Sequence, residues 1–142
     1  MKMNTRVTIG VAIAIIGGSM VSASAAVDND AIKAAFSKAP GAEMPYIANT
    51  LVAKAKKVNK AETAMVVLRV AVARKPAVCV SVVSFICGLV PDAAADIAAE
   101  AVRLTPQYTR DIARAAAKAA PAKIDKIRSE EHTSELQSRT KL

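Results

Sequence analysis

From residue 61 onward the apolar positions recur on a beat set by proline. Pro76, Pro91, Pro106 and Pro121 stand fifteen residues apart, and six residues after each comes Val82, Ile97, Ile112 or Ile127. The segments align without gaps, so that Asp96-Ile97-Ala98 falls on Asp111-Ile112-Ala113. Ala61 to Lys75 keeps the period without its proline, with Val67 in the same column, and Pro45 to Lys60 is a looser sixteen-residue copy with Leu51 there. Self-similarity at a fixed period is the signature of a repeat architecture.

Proline suits the first helical position because it has no N–H to lose and its φ is already helical. It also pushes the preceding residue out of the helix, so each proline closes one helix and opens the next. Alanine-rich filling supplies the best intrinsic helix propensity. The pattern predicts six short helices near 30–39, 46–58, 61–74, 77–87, 92–104 and 107–119. Rods this short are marginal alone and must lean on neighbours through an apolar stripe. Candidate stripes are Ile32, Ala35, Phe36 and Ala39; Ile47, Leu51, Ala55 and Val58; Ile97, Ala101 and Leu104; and Tyr108, Ile112, Ala115 and Ala119. Asp30 is placed to cap the first helix, Asn59 with Glu62 forms a candidate capping box, Thr105 precedes Pro106, and Gly88 follows Cys87 as a helix-ending residue. The expected fold is all-α, an array or irregular bundle of about six short helices in proline-started repeats of about fifteen residues.

The central pair differs from the rest. Ala64 to Val72 is apolar around most of its circumference and Ala77 to Val90 carries no charge, so this pair is the expected buried heart. Its β-branched content makes a strand over Val78 to Ile86 the competing reading. The repeat register favours helix.

These repeats resemble exported, largely uncharacterised bacterial proteins built from tandem Ala/Pro helical units of the form Pro-x-x-x-x-x-Ile-Ala-x-Ala-x-x-x-Ala. The likeness covers residues 61–127 and, more loosely, 45–60. It implies a small all-helical secreted module and brings no known active site with it.

The two ends read differently. Met1 to Arg6 is basic, Val7 to Val21 is apolar, and Ser22 to Ala26 is small, which is the order of a secretory signal. The apolar run is shorter than the roughly 20 residues a spanning helix needs. Ala23-Ser24-Ala25 fits the cleavage rule, so residues 1–25 are expected to leave and the mature chain to start at Ala26, with Val27 as the alternative. Localisation is then periplasmic or extracellular. Arg128 to Ser138 resembles the in-frame translation of a common sequencing-library adapter, all eleven residues agreeing in order. Residues 128–142 are accordingly expected to be a non-native tail, leaving 26–127 as a helical-repeat domain expected to be truncated at its C-terminus.

That division changes the chemistry available. The single His of the chain, His132, lies in the tail. Without His, general acid–base and nucleophilic catalysis lose their commonest participant, and Ser81 and Ser84 have no base near them in sequence. No enzyme activity, metal or cofactor is expected. Aromatic residues make up only 3% of the chain, which, with export, disfavours nucleic acid as a partner. Residues 27–127 hold 15 Lys and Arg against 9 Asp and Glu, a net +6, so the mature piece remains basic.

Lys54, Lys56, Lys57 and Lys60 form the densest charge cluster. They are the candidate site for an anionic envelope polymer or lipid headgroups, the ordinary alternative being a solvated lysine face. Asp92, Asp96 and Glu100 share one helix face, and Arg110, Arg114 and Lys118 one face of the next; facing each other, the two stripes would fix the pairing register. Cys79 and Cys87 lie about 12 Å apart along a helix, beyond disulfide reach, so buried thiols are expected, with pairing to a second chain as the alternative. Together these features favour an exported structural or protein-interaction module, its partner another protein or a second copy of itself. A basic module on an anionic surface is the alternative.

Overall fold

The computed structural model describes residues 27–129, and among them every regular element is helical. The order is α1 (Asn29–Ser37), α2 (Met44–Lys54), α3 (Lys60–Arg74), α4 (Cys79–Leu89), α5 (Ala94–Leu104), α6 (Thr109–Ala119) and α7, residues 124–129. The all-α repeat array read from the prolines is therefore the fold, and the strand alternative fails because α4 occupies that stretch. The expected signal segment, residues 1–25, and the tail from residue 130 lie outside the described residues; Arg128 and Ser129 continue α7.

Each proline-started repeat opens alike. The residue before proline is held outside helical space, with φ/ψ of −151/96° at Lys75, −135/64° at Val90, −140/70° at Thr105 and −133/68° at Ala120. Its N–H still closes the helix behind it, as Thr105 does onto the Ala101 carbonyl at 2.9 Å. Its carbonyl opens the next turn, accepting the Tyr108 N–H at 3.0 Å. The proline itself begins a three-residue 3₁₀ turn (Pro76–Val78, Pro91–Ala93, Pro106–Tyr108, Pro121–Lys123), and the α-helix follows. Helices α4 to α6 thus start two residues later than the sequence pattern suggests. Gly88 lies within α4, which runs on to Leu89 because Pro91, rather than the glycine, sets the boundary.

Upstream the phase shifts by one helical turn. Lys57–Asn59 makes the same 3₁₀ turn without proline, nineteen residues before Pro76, so this repeat is four residues longer than the fifteen-residue unit and α3 has 15 residues where α4 to α6 have 11 each. Four residues nearly complete a 3.6-residue turn, which keeps Val67 on the buried face. Pro45 likewise falls inside the first turn of α2 rather than ahead of it. Extended backbone at Ala55 and Lys56 ends α2 at Lys54, so the helix expected to residue 58 stops early and Val58 is 93% exposed. The buried face of α2 is Met44, Pro45, Ala48 and Val52, with Ile47 and Leu51 only half-buried. On α6 the stripe is similarly rotated to Ile112, Ala113 and Ala116. Asp28, not Asp30, caps α1 by accepting the Ala31 N–H at 3.0 Å. Asn59 makes no side-chain cap to α3; its carbonyl instead accepts the Thr63 hydroxyl at 2.8 Å, so the expected capping box does not form.

Helices pack mainly on their immediate and next-but-one neighbours, giving two rows: α1, α3, α5 and α7 in one, α2, α4 and α6 in the other. The second row makes the most extensive contacts, α4 lying between α2 and α6. The core is built by α3 and α4, where Val67, Leu68, Ala71, Cys79, Val82, Val83, Ile86 and Cys87 are fully buried, and it continues through Ile97 and Ile112. Only the inner face of α4 is buried, although its whole circumference is uncharged; Ser81, Ser84 and Phe85 face outward.

Candidate functional site

The acidic stripe is the most structured polar feature. Glu100, residue exposure 9%, accepts from Arg69 Nε at 2.6 Å and from Arg103 Nε and Nη2, both at 2.8 Å. The paired Arg103 hydrogen bonds lead in holding its carboxyl down at about 2, aided by Arg69 and opposed by burial. Asp92 pairs with Lys123 at 3.2 Å and Asp96 with Lys126 at 3.4 Å. The acids thus reach two repeats away, to residues 30 or 31 positions distant, apart from Arg103 on the same helix.

The expected facing of this stripe with Arg110, Arg114 and Lys118 does not occur. Arg114 pairs only with Asp111 of its own helix at 3.7 Å, and among the described residues Arg110 and Lys118 join no ion pair. The reason is the two-row packing: α5 presents its acids along its own row, toward α3 and α7, while α6 belongs to the other row. Sequence reasoning missed Arg69, Lys123 and Lys126 because it compared repeats one period apart. Opposite charges at two periods were the signal available.

The four lysines gather at the α2–α3 junction rather than along one helix face. Lys54 ends α2, Lys56 and Lys57 flank and begin the 3₁₀ turn, and Lys60 opens α3. Lys54, Lys56 and Lys57 are exposed and Lys60 is half-buried. Lys54 and Lys56 rim a shallow groove of about 270 Å³ with Leu51 and Asn59, but Asp28 lines it too, and Lys57 and Lys60 stand outside it. The junction is a basic cluster without an enclosed anion pocket.

Both thiols are buried and free, as expected. Cys79 Sγ lies 3.2 Å from Thr105 Oγ1, whose hydroxyl donates to the Ala101 carbonyl at 2.9 Å, and the Cys87 thiol donates to the Ala94 carbonyl at 3.8 Å. Burial raises both thiol pKa values, that of Cys87 to about 12, so neither supplies a ready thiolate. Their place in the fold is structural: Cys79 and Thr105 join the starts and ends of neighbouring repeats.

The outer surface of α2 and α4 is nearly free of charge, Lys54 being the one ionisable side chain on either helix apart from the thiols and Tyr46. Tyr46, 65% exposed, and Phe85, 38% exposed, meet across the row with ring centroids 5.4 Å apart and planes at 49°. Ser81 and Ser84 lie on the same outer face as Phe85.

Among the described residues no group of three or more His, Cys, Asp or Glu is arranged to hold a metal, and no helix is long and apolar enough to cross a membrane. Comparison with family models, curated proteins and solved structures finds no match to this chain.

Proposed function

We propose that this chain is an exported helical-repeat module with a structural or protein-interaction role in the cell envelope and no catalytic task. The stacking carries the reading: each helix packs mainly on neighbours one and two places away, so side chains are displayed at regular intervals on the outside of a quasi-one-dimensional array. Arrays of this kind offer surfaces rather than enclosed pockets. The N-terminal pattern supplies the export part of the proposal.

Two measurements test it in secreting cells. The intact mass of the recovered protein is expected to begin at Ala26. A photo-reactive phenylalanine at position 85 is expected to give a discrete adduct in the envelope fraction that the same probe at Lys33 does not give. An unprocessed protein held in the cytoplasm defeats the export claim; identical adducts at both positions defeat the interaction claim.

A second reading is favoured by the convergence of Lys54, Lys56, Lys57 and Lys60 on one junction. It makes the module a binder of anionic lipid headgroups or envelope polymer. Salt-sensitive retention on anionic vesicles, lost when the four lysines become Gln, would establish it. Retention unchanged by those substitutions would dismiss it.

A further inference from the structure

The five 3₁₀ turns among the described residues differ in what they hold out to solvent. The middle residue of each is exposed, and in four of them it is small or polar: Ala77, Asp92, Gln107 and Ala122. In the turn Lys57–Asn59 the same position holds Val58, 93% exposed. The stack thus leaves a branched apolar side chain in water at a position it covers in no other junction. A lone exposed valine is ordinary; what sets this one apart is its surroundings.

Lys54, Lys56, Lys57 and Lys60 flank it in sequence, and no Asp or Glu occurs from Met44 to Ala61. Among the described residues none of the four lysines joins an ion pair. The carboxylates beside the cluster are Asp28, which lines the shallow groove with Lys54 and Lys56, and Glu62 in the first turn of α3. Lys57, Val58 and Lys60 stand outside that groove. The tip is also held in shape. The Asn59 N–H donates to the Lys56 carbonyl at 2.9 Å, and the Thr63 hydroxyl ties the Asn59 carbonyl to α3 at 2.8 Å. Val58 is therefore presented on a formed turn, which spares the ordering cost of binding.

An apolar tip among ammonium groups matches an anionic bilayer surface, where phosphates meet the lysines and the boundary between headgroups and acyl chains takes the valine. A hydrated anionic polymer offers charge without an apolar layer and would use the lysines alone.

We infer that the Lys57–Asn59 turn docks the module on an anionic lipid bilayer, Val58 entering the headgroup–acyl boundary while Lys54, Lys56, Lys57 and Lys60 engage lipid phosphates. The inference rests on the second reading above and narrows it to a bilayer.

The protein recovered from secreting cells should co-sediment with vesicles of equal parts phosphatidylcholine and phosphatidylglycerol, and less so as salt is raised. Val58→Ser, its helicity checked by circular dichroism, should weaken vesicle binding at least about threefold and leave retention on heparin unchanged. Replacing the four lysines by Gln should weaken both, vesicle binding by more than about thirtyfold. The chain contains no Trp, so Val58→Trp supplies a single reporter. Its emission should shift to the blue on these vesicles and be quenched by brominated lipid, whereas Gln107→Trp, at the same position of another turn, should do neither.

Vesicle binding indifferent to Val58→Ser, or equal emission changes at positions 58 and 107, would overturn the anchor and leave a lysine-only second reading standing. Equal losses from Val58→Ser on heparin and vesicles would overturn it too, since the valine would then act through the lysines rather than through lipid. No vesicle binding, or binding indifferent to the four lysines, as an uncleaved Val7 to Val21 would give, defeats this inference and the second reading together. The export mass and the position-85 cross-link stay separate tests of the broader proposal.

Discussion

The two helix rows solve the same stacking problem with different forces. Along α3, α5 and α7 the exposed edge is laced by Arg69–Glu100, Asp92–Lys123 and Asp96–Lys126. Along α2, α4 and α6 no interhelical ion pair occurs among the described residues; closer packing and the Tyr46–Phe85 ring contact take that place. From Pro76 onward both rows are built from one fifteen-residue pattern. The structural unit is therefore a pair of helices about thirty residues long, and a position's role depends on which row it enters. Apolar contact supplies stability but is tolerant of rotation about the helix axis, whereas charge at the edge discriminates between registers. One row binds the stack together; the other keeps count.

If the α2–α4–α6 row rests on volume alone, its most damaging change is a deletion in its core. Ile112 is fully buried on a helix whose other buried residues are alanines, Ala113 and Ala116. Ile112→Ala should cost about 3–4 kcal/mol through lost transfer energy and the cavity left behind. Urea melts at low and high salt should give the same loss, since no charge is involved. A loss that shrinks markedly with salt would mean that electrostatics also holds this row.

The charged row should fail with acid instead. Glu100 has its carboxyl held at about 2, below its ordinary 4.5, by Arg103 and Arg69. Because the folded value is the depressed one, its stabilisation is complete above about pH 5 and drains away as pH falls toward 2. The full effect is up to about 3 kcal/mol. Glu100→Gln should cost about 2 kcal/mol at pH 7, and the two proteins should converge near pH 2. Parallel urea midpoints across that range would show that Glu100 contributes nothing specific.

Gly88 separates a packed α4 from a merely continuous one. It lies within the helix, at negative φ, and an added Cβ would meet nothing within 4 Å. Gly88→Ala should raise stability by about 0.5–1 kcal/mol through backbone entropy. Had Gly88 ended the helix in a left-handed conformation, the same change would destabilise, so the sign of the Tm shift decides between the two roles.

Much of this fold was legible because proline and a buried branched residue six positions later are both strong local signals. Val82, Ile97, Ile112 and Ile127 are all buried, as their shared column implies. Where the proline was missing or displaced, at Ala61 and Pro45, the phase slipped by one turn. Such a slip preserves the helical face and so leaves little trace in the apolar pattern. The charge pairing was less legible for a different reason. Periodicity tells how often a unit recurs but not whether unit n touches n+1 or n+2 along a given face; that is settled by how the helices stack. The lysine cluster was visible as composition, yet the break at Ala55 and Lys56 that turns it from a helix face into a junction depends on packing between α2 and α3.

The smallest expected effect bears most directly on the thirty-residue unit. A fifteen-residue reading pairs the acids of α5 with Arg114, and the two-row packing pairs Asp96 with Lys126. Both basic residues are exposed, and pairs of that kind are worth about 0–1 kcal/mol, so single substitutions will shift Tm by only a degree or two. A double-mutant cycle removes the background. Lys126→Glu combined with Asp96→Lys should recover part of the loss from either alone, a coupling of about 0.3–0.5 kcal/mol at low salt that fades as salt is raised. Arg114→Glu combined with Asp96→Lys should behave additively, because Arg114 reaches only Asp111 on its own helix. Coupling to Arg114 and none to Lys126 would reverse the assignment, placing successive repeats edge to edge and dissolving the distinction between the rows.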